Sequence, residues 1–269
     1  MLGQILTLLG LNFLIALGCV IMLWLICLRT KDPTPMDSFW AFGLLLMAIV
    51  SFIEAGDPTP RRILMLTITA FWGIRLGSYV LWRWTHHGAD PRYDAMMRKA
   101  QERKGWGYAQ ASLRLVFLTQ APMLWLVSLP VQLGQFAAEP VELGALAYVG
   151  AGLATIGFLF ESIGDYQLVK FKADPANKGQ IMDRGLWAYT RHPNYFGDAC
   201  VWWGLYLIGA ETFPGLFALP APVFLTWTLM VWSGAALLER RMTRAKPQYA
   251  DYAARTSAFF PWFPKKPAA

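Results

Sequence analysis

Apolar residues run along this chain in blocks of close to twenty, separated by short polar segments. The blocks fall at about 5–28, 37–55, 63–84, 113–136, 143–163, 194–210 and 214–238. A helix of about 20 residues covers the roughly 30 Å of hydrocarbon in a bilayer. The pattern therefore predicts an all-α integral membrane protein of about seven transmembrane helices. The sixth block is the shortest, and the second also fits a shorter, partly buried segment. The N-terminus lacks the basic region of a signal peptide, so the first span is expected to be retained.

Positive charge sorts with these blocks. Arg61 and Arg62 lie between the second and third, and Arg75 lies inside the third. The other cations fall around 29–36, 83–114, 164–193 and 239–266, which alternate and share one side if there are seven spans. The positive-inside rule then places the N-terminus outside and the C-terminus in the cytoplasm. Composition agrees: 56% of residues are hydrophobic and 15% charged, against about 25% charged in soluble domains. The net charge of +7 is a matter of topology and gives no reason to invoke nucleic acid.

Cys19, Cys27 and Cys200 all fall in apolar blocks without CxxC spacing and read as inert buried thiols. There is no internal repeat, nucleotide loop or zinc spacing, so no metal site is expected. One integral membrane domain, 1–269, is the simplest organisation.

Ionisable groups in or at the ends of spans are costly and mark candidate sites. In "TAFWGIRLGSYVLWRW", Trp72, Arg75, Tyr79 and Arg83 recur at three- and four-residue steps and share a helical face. That face suits a cavity lining, or an Arg that locks two helices. In "FESIGDYQLVKFK", Glu161, Asp165 and Lys172 share a face with Lys170 nearby, either ligand-facing or as a solvated helix end. Asp37 opens the second block, where it also suits a helix first turn, and Glu54 closes that block on the other side of the membrane.

In "AYTRHPNYFGD", Pro193 suits the first turn of the sixth helix, where a missing N–H costs nothing. Arg191 and His192 then flank the positive helix end, an arrangement fit for an anion such as phosphate. Tyr189 and Tyr195 offer flat surfaces for a base or nicotinamide ring, and Asn194 and Asp198, four apart, can both hydrogen-bond a ligand. An interfacial belt anchoring the helix explains the same residues.

"GLWAYTRHPNYFGD" resembles the C-terminal signature of the steroid 5-alpha-reductase-like membrane family, including its bacterial branch of uncharacterised domain proteins. "WGIRLGSYVLWR" with "GADPRY", then "GDYQLVKFK", then "LLERR…KPQYADYAARTSAFFPWFP" resemble that branch in the same order, together covering roughly residues 35 to 265. The resemblance implies a seven-helix reductase with NADPH in a cytoplasm-facing cavity and a lipophilic substrate admitted from the bilayer. The cofactor half would be about 143–265. The resemblance makes Asp165, Asn194 and Asp198 cofactor contacts with Tyr189 near them, and Lys172 a basic residue suited to phosphate. Arg75 matches the family's basic residue in the third span, and Arg241 stands where the steroid enzymes carry a His. Arg83, Arg92 and Arg191 are further cations for the phosphates.

The steroid enzymes grip the substrate carbonyl with a Glu in the second span and a Tyr in the third. Here the nearest acid to that Glu position is Asp37, with Glu54 the alternative. Trp72 occupies the Tyr position beside the substrate, and Tyr79, two turns further along, is the candidate to substitute for it. Enone reduction then needs a hydride from NADPH and a protonated carboxyl or phenol on the carbonyl oxygen. Asp37 is the first candidate for that group and Tyr79 the second. The RHPxYxG core also occurs in isoprenylcysteine carboxyl methyltransferases, so an S-adenosylmethionine-dependent membrane methyltransferase is the alternative. A non-catalytic lipid-binding membrane protein is the third reading. The expected location is a bacterial inner membrane, or the endoplasmic reticulum if the chain is eukaryotic, and the sequence leaves oligomeric state open.

Overall fold

A computed structural model of the chain describes residues 1–232 and 234–265, without the side chains at 236, 237, 241 and 245. Among the described residues the structure is helical, and its one β pairing is an isolated parallel bridge between Thr190 and Ser257. Among the described residues five helices are long and apolar enough to cross a membrane: Leu2–Thr30, Pro35–Ala55, Pro60–His87, Ala145–Ala173 and Phe213–Trp232. The chain forms two compact units, Met1–Ala147 with Ile208–Ala221, and Tyr148–Leu207 with Pro222–Ala269.

The first unit is built on α1 (Leu2–Thr30), α2 (Pro35–Ala55) and α3 (Pro60–His87). Proline opens both α2 and α3, and Thr59 caps α3 by accepting the Arg62 N–H. The α2 and α3 backbones approach closely at two glycines. A Cβ on Gly73 would lie 3.0 Å from the Ala41 carbonyl oxygen, and one on Gly77 would lie 2.7 Å from the Phe42 ring. Ser38 Oγ uses that proximity to donate to the Gly77 carbonyl at 2.8 Å. A short helix, α4 (Pro91–Lys104), follows α3 and ends at Gly105, whose φ of 65° belongs to the left-handed region that stops helices.

The apolar block at 113–136 is helical from Leu113 to Gly134 but changes form along its length. After α5 (Tyr108–Ser112) come a π turn (Leu113–Phe117), α6 (Leu118–Val127) and α7 (Leu129–Gly134), with αR backbone at the junctions. Pro122 lies inside α6 and Pro130 in the first turn of α7, and each removes a backbone donor.

Arg61 and Arg62, the two cations that departed from the charge sorting, are fully buried. Arg62 donates to the carbonyls of Gln135 and Phe136, and Arg61 to those of Ala138 and Pro140. They close the chain that leaves α7, so their charge serves packing. In the same unit Glu211 accepts the Gly144 and Ala147 N–H groups, capping α8 (Ala145–Ala173).

The second unit takes most of α8 together with most of α9 (Pro193–Gly209). At 17 residues α9 is about 25 Å long, short of the hydrocarbon thickness. The two helices meet along a seam of small residues. A Cβ on Gly157 would lie 2.4 Å from the Gly197 carbonyl, and one on Gly204 would lie 2.4 Å from the Gly150 carbonyl. Gly150, Gly157 and Gly164 recur every seven residues, so one face of α8 is stripped of side chains where α9 crosses it. After α10 (Phe213–Leu216) and α11 (Pro220–Trp227) come a π turn (Thr228–Trp232), α12 (Ala235–Ala245) and α13 (Tyr249–Arg255).

Candidate functional site

The close α8–α9 seam leads directly to the polar residues at their ends. Gly164 lets Pro193 pack on α8, since a Cβ there would lie 3.0 Å from the proline ring. That contact sets the first turn of α9 beside Asp165, and Asn194 Nδ2 donates to Asp165 Oδ1 at 3.4 Å. Asp165 and Glu161, one turn earlier, are both buried. Asp198, one turn into α9 from Asn194, is half-buried. Carboxylates and an amide thus gather around one helix N-terminus.

The residues just before α9 are held from behind. The His192 ring, 2% exposed, stacks on Tyr195 with centroids 5.2 Å apart and planes 6° from parallel. Its Nε2 lies 3.0 Å from Glu239 Oε1 on α12. Arg191 Nε lies 2.9 Å from the same oxygen, and Arg191 Nη1 donates to the Ala253 carbonyl at 2.7 Å. Burial works to raise the Glu239 carboxyl's pKa, but the His192 hydrogen bond and the Arg191 charge outweigh it and hold the carboxyl below its ordinary range.

The C-terminal segment closes over this stretch. Thr190 Oγ1 donates to the Phe259 carbonyl, the Arg191 N–H to Ser257, and the Trp262 N–H to Tyr189. Tyr252 donates to the Trp187 carbonyl at 2.6 Å, and burial pushes its phenol's pKa well up. Trp187 in turn donates from its indole to the Gly164 carbonyl. Tyr189 remains largely exposed, and Lys172 and Lys170 are exposed at the end of α8. Arg241 lies outside the described residues.

In the first unit, α3 places Trp72 in the core and Arg75 and Tyr79 half-buried, with the Arg75 guanidinium 5.5 Å from the Tyr79 ring centroid. Arg83 is exposed. Asp37, in the first turn of α2, accepts from Arg92 Nη2 at 2.9 Å and from the Tyr93 hydroxyl. Arg92 also donates to Asp90, and Thr34 accepts the Asp90 N–H while giving its own hydroxyl to Asp32. Burial opposes the Arg92 charge, yet Asp37 and Asp90 outweigh it and raise its pKa. Glu54 is exposed at the far end of α2, some 25 Å from Asp37 along the helix.

Glu239 and the Arg92–Tyr93 pair were not assigned from sequence. Glu239 had a signal, being the one acid in "LLERR", at the mouth of the last apolar block, with Arg191 and His192 in need of an anion. The partners of Asp37 had none, because nothing in their spacing indicates that α4 folds back to the start of α2.

The described residues hold no cluster of metal-ligating side chains. A family model described as "Protein of unknown function (DUF1295)" matches residues 23–256. An uncharacterized protein of Schizosaccharomyces pombe is 24% identical over 272 residues, covering 89% of this chain and 75% of the yeast protein. No solved structure matches the chain. Since the family model covers most of its length, the chain belongs to the DUF1295 family of proteins of unknown function.

Proposed function

We propose that this protein is an NADPH-dependent membrane reductase of the carbon–carbon double bond of a lipophilic enone, resembling the steroid 5-alpha-reductases in converting a Δ4-3-ketosteroid to its 5-alpha product. The observation that carries the proposal is the meeting of Asp165 and Asn194 at the first turn of α9, inside motifs that resemble that family. The match to the DUF1295 family agrees with the resemblance in general terms. The long apolar helices support a membrane location, with the N-terminus outside and the C-terminus in the cytoplasm of a bacterial inner membrane or, in a eukaryote, of the endoplasmic reticulum.

The residues at α9 fit a nicotinamide nucleotide by their chemistry. Asp165 and Asp198 accept from ribose hydroxyls, and Asn194 both donates to and accepts from a carboxamide. Lys172, exposed two turns beyond Asp165, is placed for a phosphate. Arg191 and His192 direct their donors to Glu239 and Ala253 and serve the nucleotide by fixing the α9 N-terminus. Bound NADPH supplies a hydride to the substrate's β-carbon.

The carbonyl then needs a hydrogen-bond donor for the charge that develops on its oxygen. Asp37 already carries Arg92 and Tyr93 on its oxygens and has to release one before it can hold a substrate. The Tyr79 phenol, whose ring has the Arg75 guanidinium beside it, is the second candidate for that donor.

The test is the apparent melting temperature of purified protein with NADPH, NADH, S-adenosylmethionine and S-adenosylhomocysteine, since a ligand preferring the folded state raises it. Stabilisation by NADPH, followed by its oxidation with a Δ4-3-ketosteroid, is the expected result. Stabilisation by S-adenosylmethionine alone replaces the proposal with a methyltransferase. Nucleotide binding without turnover of any enone replaces it with a non-catalytic binding protein.

A further inference from the structure

The helix that follows α3 divides its charges by face. At about 100° per residue, Met96, Lys99 and Arg103 fall on one flank of α4, with Asp94 on the opposite side and Glu102 turned toward Arg98. Tyr93 and Ala100 point inward and are buried. Of the basic residues, Arg98 sits with Glu102, whereas Lys99 and Arg103 have no carboxylate partner among the described residues.

Gly105 turns the chain back at the end of this helix. Trp106 returns under Lys104, whose Nζ lies 4.4 Å from the ring centroid, and Arg114 stands over the same ring at 5.0 Å. An indole face attracts a cation, but two cations on one ring repel each other. Neither has a carboxylate among the described residues to relieve that repulsion. A phosphodiester would do so by accepting from the guanidinium fork or the ammonium.

We propose that this basic flank and the Trp106 platform bind the headgroup of an anionic phospholipid. Charge is one half of the case, and the apolar setting is the other. The segment joins a helix long and apolar enough to span a membrane to the next apolar block, so it lies at the water–lipid boundary. Met96, 38% exposed, lies on the same flank as Lys99 and Arg103, and Leu118, 40% exposed, lies one turn beyond Arg114. A free phosphate has no use for such apolar surface, whereas acyl chains do. Cations near a membrane surface attract acidic lipid additively and over short range. The proposal does not depend on the cofactor reading.

The experiment is native mass spectrometry of the full chain released from a neutral detergent, with equal phosphatidylglycerol and phosphatidylcholine added. Wild type is expected to retain phosphatidylglycerol at least ten-fold in excess. The exposed triple variant Arg103→Gln/Lys104→Gln/Arg114→Gln is expected to lose that preference, by about five-fold for each cation removed. Its melting temperature in lipid-free detergent should match wild type, because all three side chains are exposed. Equal retention of both lipids by wild type overturns the proposal, as does undiminished preference in the variant. Displacement of the bound lipid by millimolar inorganic phosphate also overturns it, by revealing a site for a soluble anion.

Discussion

His192 and Glu239 meet at 3.0 Å across 47 residues of chain, and Arg191 shares the same carboxylate. Glu239 neutralises the charge beside the α9 N-terminus and orients an imidazole that is almost fully buried. Replacing it by Ala leaves Arg191 without its counter-ion, which costs on the order of 3 kcal/mol where such a pair is largely enclosed. Glu239→Ala is expected to melt well below wild type in neutral detergent, and Glu239→Gln, which keeps an acceptor, to recover at least half of the difference.

The same carboxylate predicts an acid limb. The folded protein holds the Glu239 pKa below its ordinary 4.5, so the unfolded chain takes up the proton first as pH falls. The stabilisation is complete above about pH 4.5 and declines through the depressed folded value. The difference in melting temperature between wild type and Glu239→Gln should be constant from pH 7 to pH 5 and shrink below that. A difference that instead shrank on raising the pH would overturn the assignment to the Glu239 carboxyl.

At the α8–α9 seam a methyl group has nowhere to go. Gly157→Ala sets a Cβ against the Gly197 carbonyl and the Cys200 side chain. Forcing the helices apart there is expected to cost about 1–3 kcal/mol. It should also weaken nucleotide binding, because Asp165 and Asn194 separate with the helices. Gly152→Ala, with open space around its position, is the control and should leave both properties unchanged.

Asn194→Ala removes the hydrogen bond to Asp165 and one amide from the α9 N-terminus. A single hydrogen bond of about 1 kcal/mol corresponds to a five- to ten-fold weaker NADPH dissociation constant. Titration monitored by melting temperature measures it. The melting temperature without nucleotide should change little, since Asn194 is only half-buried.

Asp37→Asn separates structural from catalytic use of that carboxyl. The amide keeps an acceptor for Tyr93 but surrenders the ion pair with Arg92. If Asp37 serves only to tie α4 to α2, the variant loses stability and keeps its turnover per folded molecule. Tyr79→Phe is expected to lower turnover at least ten-fold with NADPH binding unchanged, as befits a lost donor to the carbonyl oxygen. Single-turnover NADPH oxidation distinguishes the two.

The apolar blocks made the membrane helices legible, because length and hydropathy alone satisfy the bilayer. They gave no sign of the π turn at Leu113–Phe117 or of the turn at Ser128, because such changes of helix form do not alter hydropathy. The α8–α9 seam was overlooked as well. Its glycines are spaced by seven, and a search for four-residue spacing passes over them. From sequence the stretch from Arg191 to Asp198 reads as a candidate site with cations free for an anion, whereas in the structure Arg191 and His192 pair with Glu239. Their partner lay on another helix, and long-range pairing leaves no periodic trace.

The C-terminal residues carry a consequence for how the protein is made. Trp187, Thr190 and Arg191 find their partners at Tyr252, Phe259 and Ala253, some 62 to 69 residues later in the chain. α8 and α9 therefore leave the ribosome before these three partners of the turn between them exist. A nascent chain halted before Tyr252 contains every residue of "RHPNYFGD" and none of the three groups that pin its approach. Premature termination near the end of the message is thus as damaging to this site as a missense change inside it, and a reporter fused at the C-terminus needs a linker that leaves Phe259 and Trp262 free to dock.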